Sequence, residues 1–200
     1  MNLPTLEQIE ALHHKYASSD AGFDLVFTHC KIVCEIAEQC ITNRQLTIDV
    51  ELVKVGCLLH DIGVYELLDE DGKEREDIPY ITHGVLGEAI LKKEGFPETI
   101  WRFASHHTGV GLTKQAIVSG KLPLPAQDYL ADTLEEALVM YADKFHSKDV
   151  PPCFNSFEWY RKHAAQFGES NAVKFDKMGQ EFGVPDLAPL IAKYGHAVRD

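Results

Sequence analysis

The sequence predicts an all-α fold, and three observations carry that prediction. Apolar residues recur at steps of three and four along most of the chain, while no stretch of useful length alternates with period two. Several periodic segments open on Thr or Asp, which cap helices, and break at glycine, proline or a run of charge. At 200 residues, with 45% hydrophobic and 25% charged side chains, the chain can bury a core without a disulfide or structural metal.

Taken in order, Leu6, Ile9, Ala11 and Leu12 predict a first helix entered through Thr5. A second runs from about Gly22 to Ile41, with Val26, Cys30, Val33, Ala37 and Cys40 on one face. A third begins after Asp49 and is apolar nearly all round, so it should be the buried centre, ending near Gly63 in a left-handed cap. Residues 66–79 are charged and read as an exposed loop, a possible lid carrying Lys73 or Arg75. Further helices are expected at about 82–94 and 97–107, with Pro97 as their first-turn residue in the latter case. Thr133 should cap a helix reaching about Ser147, ended by Pro151-Pro152, and the aromatic tail predicts a helical pair.

A net charge of −12 argues against broad binding to a nucleic-acid polymer, but not against a small phosphorylated substrate, because a bound dication inverts the local field. The first residues lack a basic and an apolar signal region, and no apolar run is long enough to span a membrane. The five cysteines are odd in number and form no CxxC pair. They read as reduced thiols of a cytoplasmic protein.

The chemistry lies in the placement of histidine and aspartate. His29 sits beside the apolar stripe of the second helix, and His60-Asp61 closes the third. His83 opens a helix followed by Gly84 and Gly87, His106-His107 ends the next, and Asp143 interrupts the apolar face of the helix after Thr133. An ionised Asp at the end of an apolar helix is costly to bury unless a cation or partner meets it. The free carbonyls of a helix C-terminus favour a cation there. Taken singly, a histidine such as His29 or His83 is more often a satisfied core residue. Jointly, the order H…HD…H…HH…D on successive helices points to a metal centre with N and O ligands.

With these residues in view, the chain resembles the HD superfamily over about residues 27–146. Leu58-Leu59-His60-Asp61-Ile62-Gly63 is similar to the hallmark of its HDIG-type members. His29-Cys30-Lys31-Ile32-Val33-Cys34-Glu35-Ile36-Ala37 resembles the first histidine helix, and Tyr141-Ala142-Asp143-Lys144 the terminal aspartate segment. Ile81-Thr82-His83-Gly84 and His107-Thr108-Gly109 resemble the extra histidine segments of dinuclear members, among them bacterial dinucleoside-polyphosphate hydrolases. The resemblance implies an HD-domain helical bundle over residues 1–150, with residues 151–200 as a C-terminal helical extension packed on it. It also implies a metal site of His29, His60, Asp61 and Asp143, with Asp61 bridging to a second site completed by His83 and His107, and His106 as an alternative ligand. Two departures stand out: Val64 replaces a lysine common after the dyad, and the Gly-Tyr-Pro motif of cyclic-di-GMP enzymes is absent.

The expected activity is therefore hydrolysis of a phosphoester or phosphoanhydride of a nucleotide or other small phosphorylated metabolite. A hydroxide shared by two divalent ions (Fe, Mn or Zn) would be the nucleophile, with His60, Asp61 and Asp143 at the catalytic centre. Lys144, Arg102, Lys114 and Thr108 are candidate phosphate contacts. The same ligand order occurs in HD-type di-iron oxygenases, the alternative reading, and a non-catalytic metal-binding regulatory module is a third.

Overall fold

The computed structural model describes residues 3–200 and is all-α apart from one small sheet. Helix α1 (Leu6–Tyr16) starts where expected: Thr5 accepts from the Gln8 amide while the Gln8 side chain reaches back to the Thr5 amide. Helix α2 (Asp20–Arg44) is longer than its apolar stripe suggested, because Ser19 caps it early.

Helix α3 (Val50–Leu59) is capped by Asp49 and is the centre of the molecule. Its residues divide between two apolar cores. Val53 and Cys57 join one with the α2 C-terminal half, whereas Val55, Leu58 and Leu59 join the other with α1. An all-round apolar sequence follows from packing on both sides. Gly56 lets the Phe103 ring approach closely, since a Cβ there would fall 2.5 Å from it.

Gly63 does not end α3 in a left-handed cap. The α-helix stops at Leu59, and a 3-10 segment (Ile62–Leu67) carries the chain on through Gly63. The glycine is needed for close approach instead: a Cβ would lie 2.1 Å from the His83 carbonyl oxygen and 2.3 Å from the Gly87 amide nitrogen. This lets helix α4 (His83–Lys93) lie against the segment after the His-Asp pair.

Helix α5 (Glu98–Ser105) begins after Pro97, which has extended dihedrals and acts as the cap rather than the first helical residue. It ends before His106 and His107, two residues earlier than expected. A short helix, α6 (Lys114–Gly120), follows in a stretch to which the sequence assigned no element. Helix α7 (Leu134–Asp143) is capped by Thr133 as expected.

The largest departure is after Asp143. The helix does not continue to Ser147; strand β1 (His146–Ser147) pairs antiparallel with β2 (Cys153–Asn155), which pairs in parallel with β3 (Ala197–Arg199). The Asn155 amide donates to the Phe145 carbonyl, so the chain leaving α7 exchanges helical bonds for strand bonds. Between β2 and β3 lie three helices rather than a pair: α8 (Phe157–Ala165), α9 (Glu169–Phe182) and α10 (Ala188–Tyr194).

Aromatic burial holds this segment in place. Phe175 packs at 4.7–6.0 Å between ring centroids against Tyr141, Phe145, Phe157 and Tyr160. Phe167 is the exception and is exposed. No helix of the described residues is long and apolar enough to cross a membrane.

Candidate metal centre

Four helical termini and one helix interior converge on a buried cluster. His29 comes from the middle of α2, His60 and Asp61 from the end of α3, His83 from the first turn of α4, His107 from just beyond α5, and Asp143 from the last turn of α7. Their ligand-capable atoms form two groups sharing Asp61: His29, His60, Asp61 and Asp143 in one, Asp61, His83 and His107 in the other. Within each group these atoms all lie within 4.8 Å of one another.

In the first group, His29 Nε2 is 3.1 Å from Asp61 Oδ2 and 3.0 Å from Asp143 Oδ1. His60 Nε2 is 3.2 Å from Asp61 Oδ2 and 3.4 Å from Asp143 Oδ1. In the second, His83 and His107 place their Nε2 atoms 3.7 and 3.5 Å from Asp61 Oδ1.

Three of the imidazoles are oriented by the backbone. His60 Nδ1 is 2.7 Å from the Cys57 carbonyl oxygen, His83 Nδ1 2.8 Å from that of Tyr80, and His107 Nδ1 3.0 Å from that of Phe103. A carbonyl only accepts, so each Nδ1 carries a proton, and in the neutral form of each ring the Nε2 lone pair is directed into the cluster. Those nitrogens face one another closely: His83 Nε2 is 3.0 Å from His107 Nε2, and His29 Nε2 is 3.2 Å from His60 Nε2. Asp61 Oδ1, fully buried, has no hydrogen-bond partner among the described residues. Converging lone pairs and an unpartnered buried carboxylate oxygen fit divalent cations, and the N/O donor set suits Fe, Mn or Zn.

The electrostatics agree. Burial opposes charge on Asp61, yet Lys148 and His60 beside it hold its carboxyl well below the usual range; Asp143 is likewise buried but held low by Lys144 and His29. Burial and the neighbouring His107 push His83 down to about 3, and burial lowers His107 too, so both are neutral donors at pH 7. At His60 burial is outweighed by Asp61, and its affinity for a proton rises. A metal at that nitrogen would displace the proton.

The other candidates scatter. His106 lies outside both groups, because its Nε2 meets Arg102 at 3.1 Å and its Nδ1 meets Ser105 at 2.7 Å. Arg102 is fixed by a two-pronged bond to Glu136, at 2.7 and 3.0 Å, and does not line the main cavity. Neither does Lys114, whose backbone amide bonds Asp128, nor Thr108. Lys144 does reach the site, with Nζ 2.5 Å from Asp143 Oδ2 and 2.9 Å from the His107 carbonyl. In the charged loop, Lys73 lines the cavity, whereas Arg75 pairs with Asp77.

Sequence reasoning missed Lys148, whose ammonium contacts Asp61 Oδ2, and His146, which contacts His29. Both follow the end of α7. The alternation Lys144, His146, Lys148 was the available signal, and the expectation of continuing helix concealed it. These residues border a cavity of about 940 Å³, with Tyr80 and Asp143 on one side and Trp159, His163 and Arg199 from the C-terminal segment on another.

A sequence model described as HD domain matches residues 26–148. Over 121 residues the chain is 41% identical to an uncharacterized protein of Methanocaldococcus jannaschii, MJ0778, covering 59% of this chain and 64% of that protein. It is 33% identical over 138 residues to a tRNA (cytidine(56)-2'-O)-methyltransferase of Thermoplasma volcanium, covering 69% of this chain but 35% of that one. The chain thus spans about two thirds or one third of these relatives' length. Among solved structures, the HD domain of the L. monocytogenes phosphodiesterase PgpH in complex with cyclic-di-AMP aligns over 96% of this chain and 99% of its own. The TM-score is 0.50 at 18% identity, a likeness of fold.

Proposed function

This chain belongs to the HD-domain family, and on that premise we propose that it is a metal-dependent phosphohydrolase cleaving a phosphoester or phosphoanhydride of a small phosphorylated metabolite, a nucleotide above all. One observation carries the reading: two groups of buried ligand atoms share Asp61, whose Oδ1 has no hydrogen-bond partner among the described residues. His29, His60, Asp61 and Asp143 would hold one ion, and Asp61, His83 and His107 a second. When bound, such ions polarise phosphoryl oxygens and acidify water.

The protein's own residues supply the rest. Lys148, with its side chain 10% exposed between Asp61 and the cavity, is placed to meet a phosphoryl oxygen and offset charge that grows during transfer. Lys144 is committed to Asp143 and the His107 carbonyl, so it holds the ligands in register while adding positive charge. Lys73 and Arg199 add cations at the cavity wall of a chain whose net charge is −12. The volume of about 940 Å³ suits a nucleotide rather than inorganic phosphate alone.

The test is elemental analysis of protein purified without chelator, paired with phosphatase and phosphodiesterase panels under argon. The panel includes cyclic dinucleotides, since a structurally similar HD domain was solved with cyclic-di-AMP. Stoichiometric metal and phosphoester cleavage without oxygen are expected. An iron-loaded protein that consumes oxygen and cleaves no phosphoester would transfer the assignment to the oxygenase reading.

A further inference from the structure

His29 differs from the other three histidines of the cluster. His60, His83 and His107 each rest Nδ1 on a backbone carbonyl, whereas His29 Nδ1 lies 2.9 Å from Nδ1 of another imidazole, His146. A carbonyl dictates the tautomer. An imidazole can donate or accept, so its own second nitrogen must decide.

That second nitrogen is also engaged. His146 Nε2 lies 2.9 Å from Nδ1 of His196, and the three rings form a stack with centroids 5.2 and 5.1 Å apart. The small sheet builds this arrangement. His146 opens β1, His196 immediately precedes β3, and β2 joins the two strands. His146 is buried and packed edge-on against Phe154, while His196 is partly exposed beside a smaller cavity that both imidazoles line.

We propose that His146, oriented by His196, is a positioning residue of the metal centre: it accepts the Nδ1–H of His29 and thereby leaves the His29 Nε2 lone pair facing the cation position shared with Asp61 and Asp143. The proposal rests on the reading of His29 as a metal ligand. With His29 Nε2 as a metal ligand, one polarity remains: His29 Nδ1–H donates to His146 Nδ1, and His146 Nε2–H donates to His196 Nδ1. The remaining N–H, on His196 Nε2, is then left for solvent or the smaller cavity. The opposite polarity would place a proton on His29 Nε2, 3.0–3.2 Å from the cluster's acceptors, where a metal ligand needs a lone pair. The C-terminal segment thus serves the centre without contributing a ligand, through an outer-shell contact of the kind that tunes metal affinity.

The protein, stripped with chelator and titrated with Zn²⁺, provides the test. His146→Phe keeps an aromatic ring and removes the acceptor, and it should weaken Zn²⁺ binding by about 10- to 100-fold. His146→Asn returns an acceptor near the Nδ1 position and should recover most of that loss. A purely packing role predicts the reverse order. ¹⁵N NMR of the zinc-loaded wild type should show the proton on Nδ1 of His29 and on Nε2 of His146, a readout that requires no variant to fold.

Wild-type affinity in His146→Phe, Asn no better than Phe, or the opposite tautomers would each overturn the proposal. His60→Ala is the control: if it too binds Zn²⁺ like wild type, the metal-centre reading itself fails.

Discussion

His60 and Asp61 are neighbours in the chain, yet His60 Nε2 lies 3.2 Å from Asp61 Oδ2 and both face one cluster. Consecutive residues of an ideal helix point about 100° apart. The helix stops being ideal at this point: His60 keeps helical dihedrals (φ −55°, ψ −33°), whereas Asp61 moves to φ −106°, ψ 14° before the 3-10 segment. That change of backbone lets both side chains of the pair address a common centre.

His60→Ala and Asp61→Ala should therefore each lose bound metal and reduce phosphoester cleavage at least about 100-fold, because both groups are buried and aimed inward. Elemental analysis beside steady-state kinetics checks this. Either variant retaining full metal and full activity would remove the centre from consideration.

Lys148 competes with a cation for Asp61. Replacing it with methionine removes the ammonium but keeps most of the apolar stem, so divalent-metal binding should tighten. Turnover of a phosphorylated substrate should nevertheless fall by about tenfold or more, through loss of a phosphoryl contact. Metal titration and kinetics moving in opposite directions is the expected signature; parallel losses would argue for a ligand-positioning role instead.

Arg102 should behave as a structural residue. Its guanidinium bonds Glu136 through two contacts, and Glu136 is 5% exposed. Arg102→Ala leaves that carboxylate buried and unpaired, so unfolding free energy should drop by about 2–4 kcal/mol. The KM for substrate should stay within about twofold, given that the side chain does not line the cavity. A large KM change with unaltered stability would restore it as a substrate contact.

Gly63→Ala adds a Cβ against the first turn of α4, at 2.1 Å from the His83 carbonyl. Both neighbours are backbone and cannot swing aside. A loss of about 2–4 kcal/mol in stability is expected, with weaker metal binding through displacement of His83. Denaturant unfolding and Zn²⁺ titration measure the two effects, and an unperturbed variant would contradict this packing.

Acid should destabilise the fold partly through His13. This buried ring lies 2.7 Å from the Leu58 carbonyl at Nε2 and 2.9 Å from the Tyr65 hydroxyl at Nδ1, so its neutral form donates to one and accepts from the other. Burial pushes its pKa down to about 4, only partly offset by the Leu58 carbonyl. The unfolded chain binds a proton near pH 6.5 that the folded chain refuses until about pH 4. This contribution is present above the unfolded value and is lost as pH falls through that window, to a limit of about 3 kcal/mol. His13→Gln should flatten the fall in stability between pH 7 and 5; an unchanged slope would locate the effect elsewhere.

The sequence by itself determined most of the long helices, their caps at Thr5, Asp49 and Thr133 and the buried place of α3, while its resemblance to the HD superfamily singled out the six residues that the fold gathers. These are local properties: apolar period, capping side chains, and ionisable groups placed on faces that must be buried. Only the tertiary structure decided which cations stand at the site. Arg102 was drawn off by Glu136, and Lys148 and His146 were brought in, because the chain leaving α7 pairs with β2, which in turn pairs with β3 near the C-terminus. Pairing as distant as that of Cys153 with Ala197 leaves no trace in local periodicity, and two- or three-residue strands are too short for alternation to announce them.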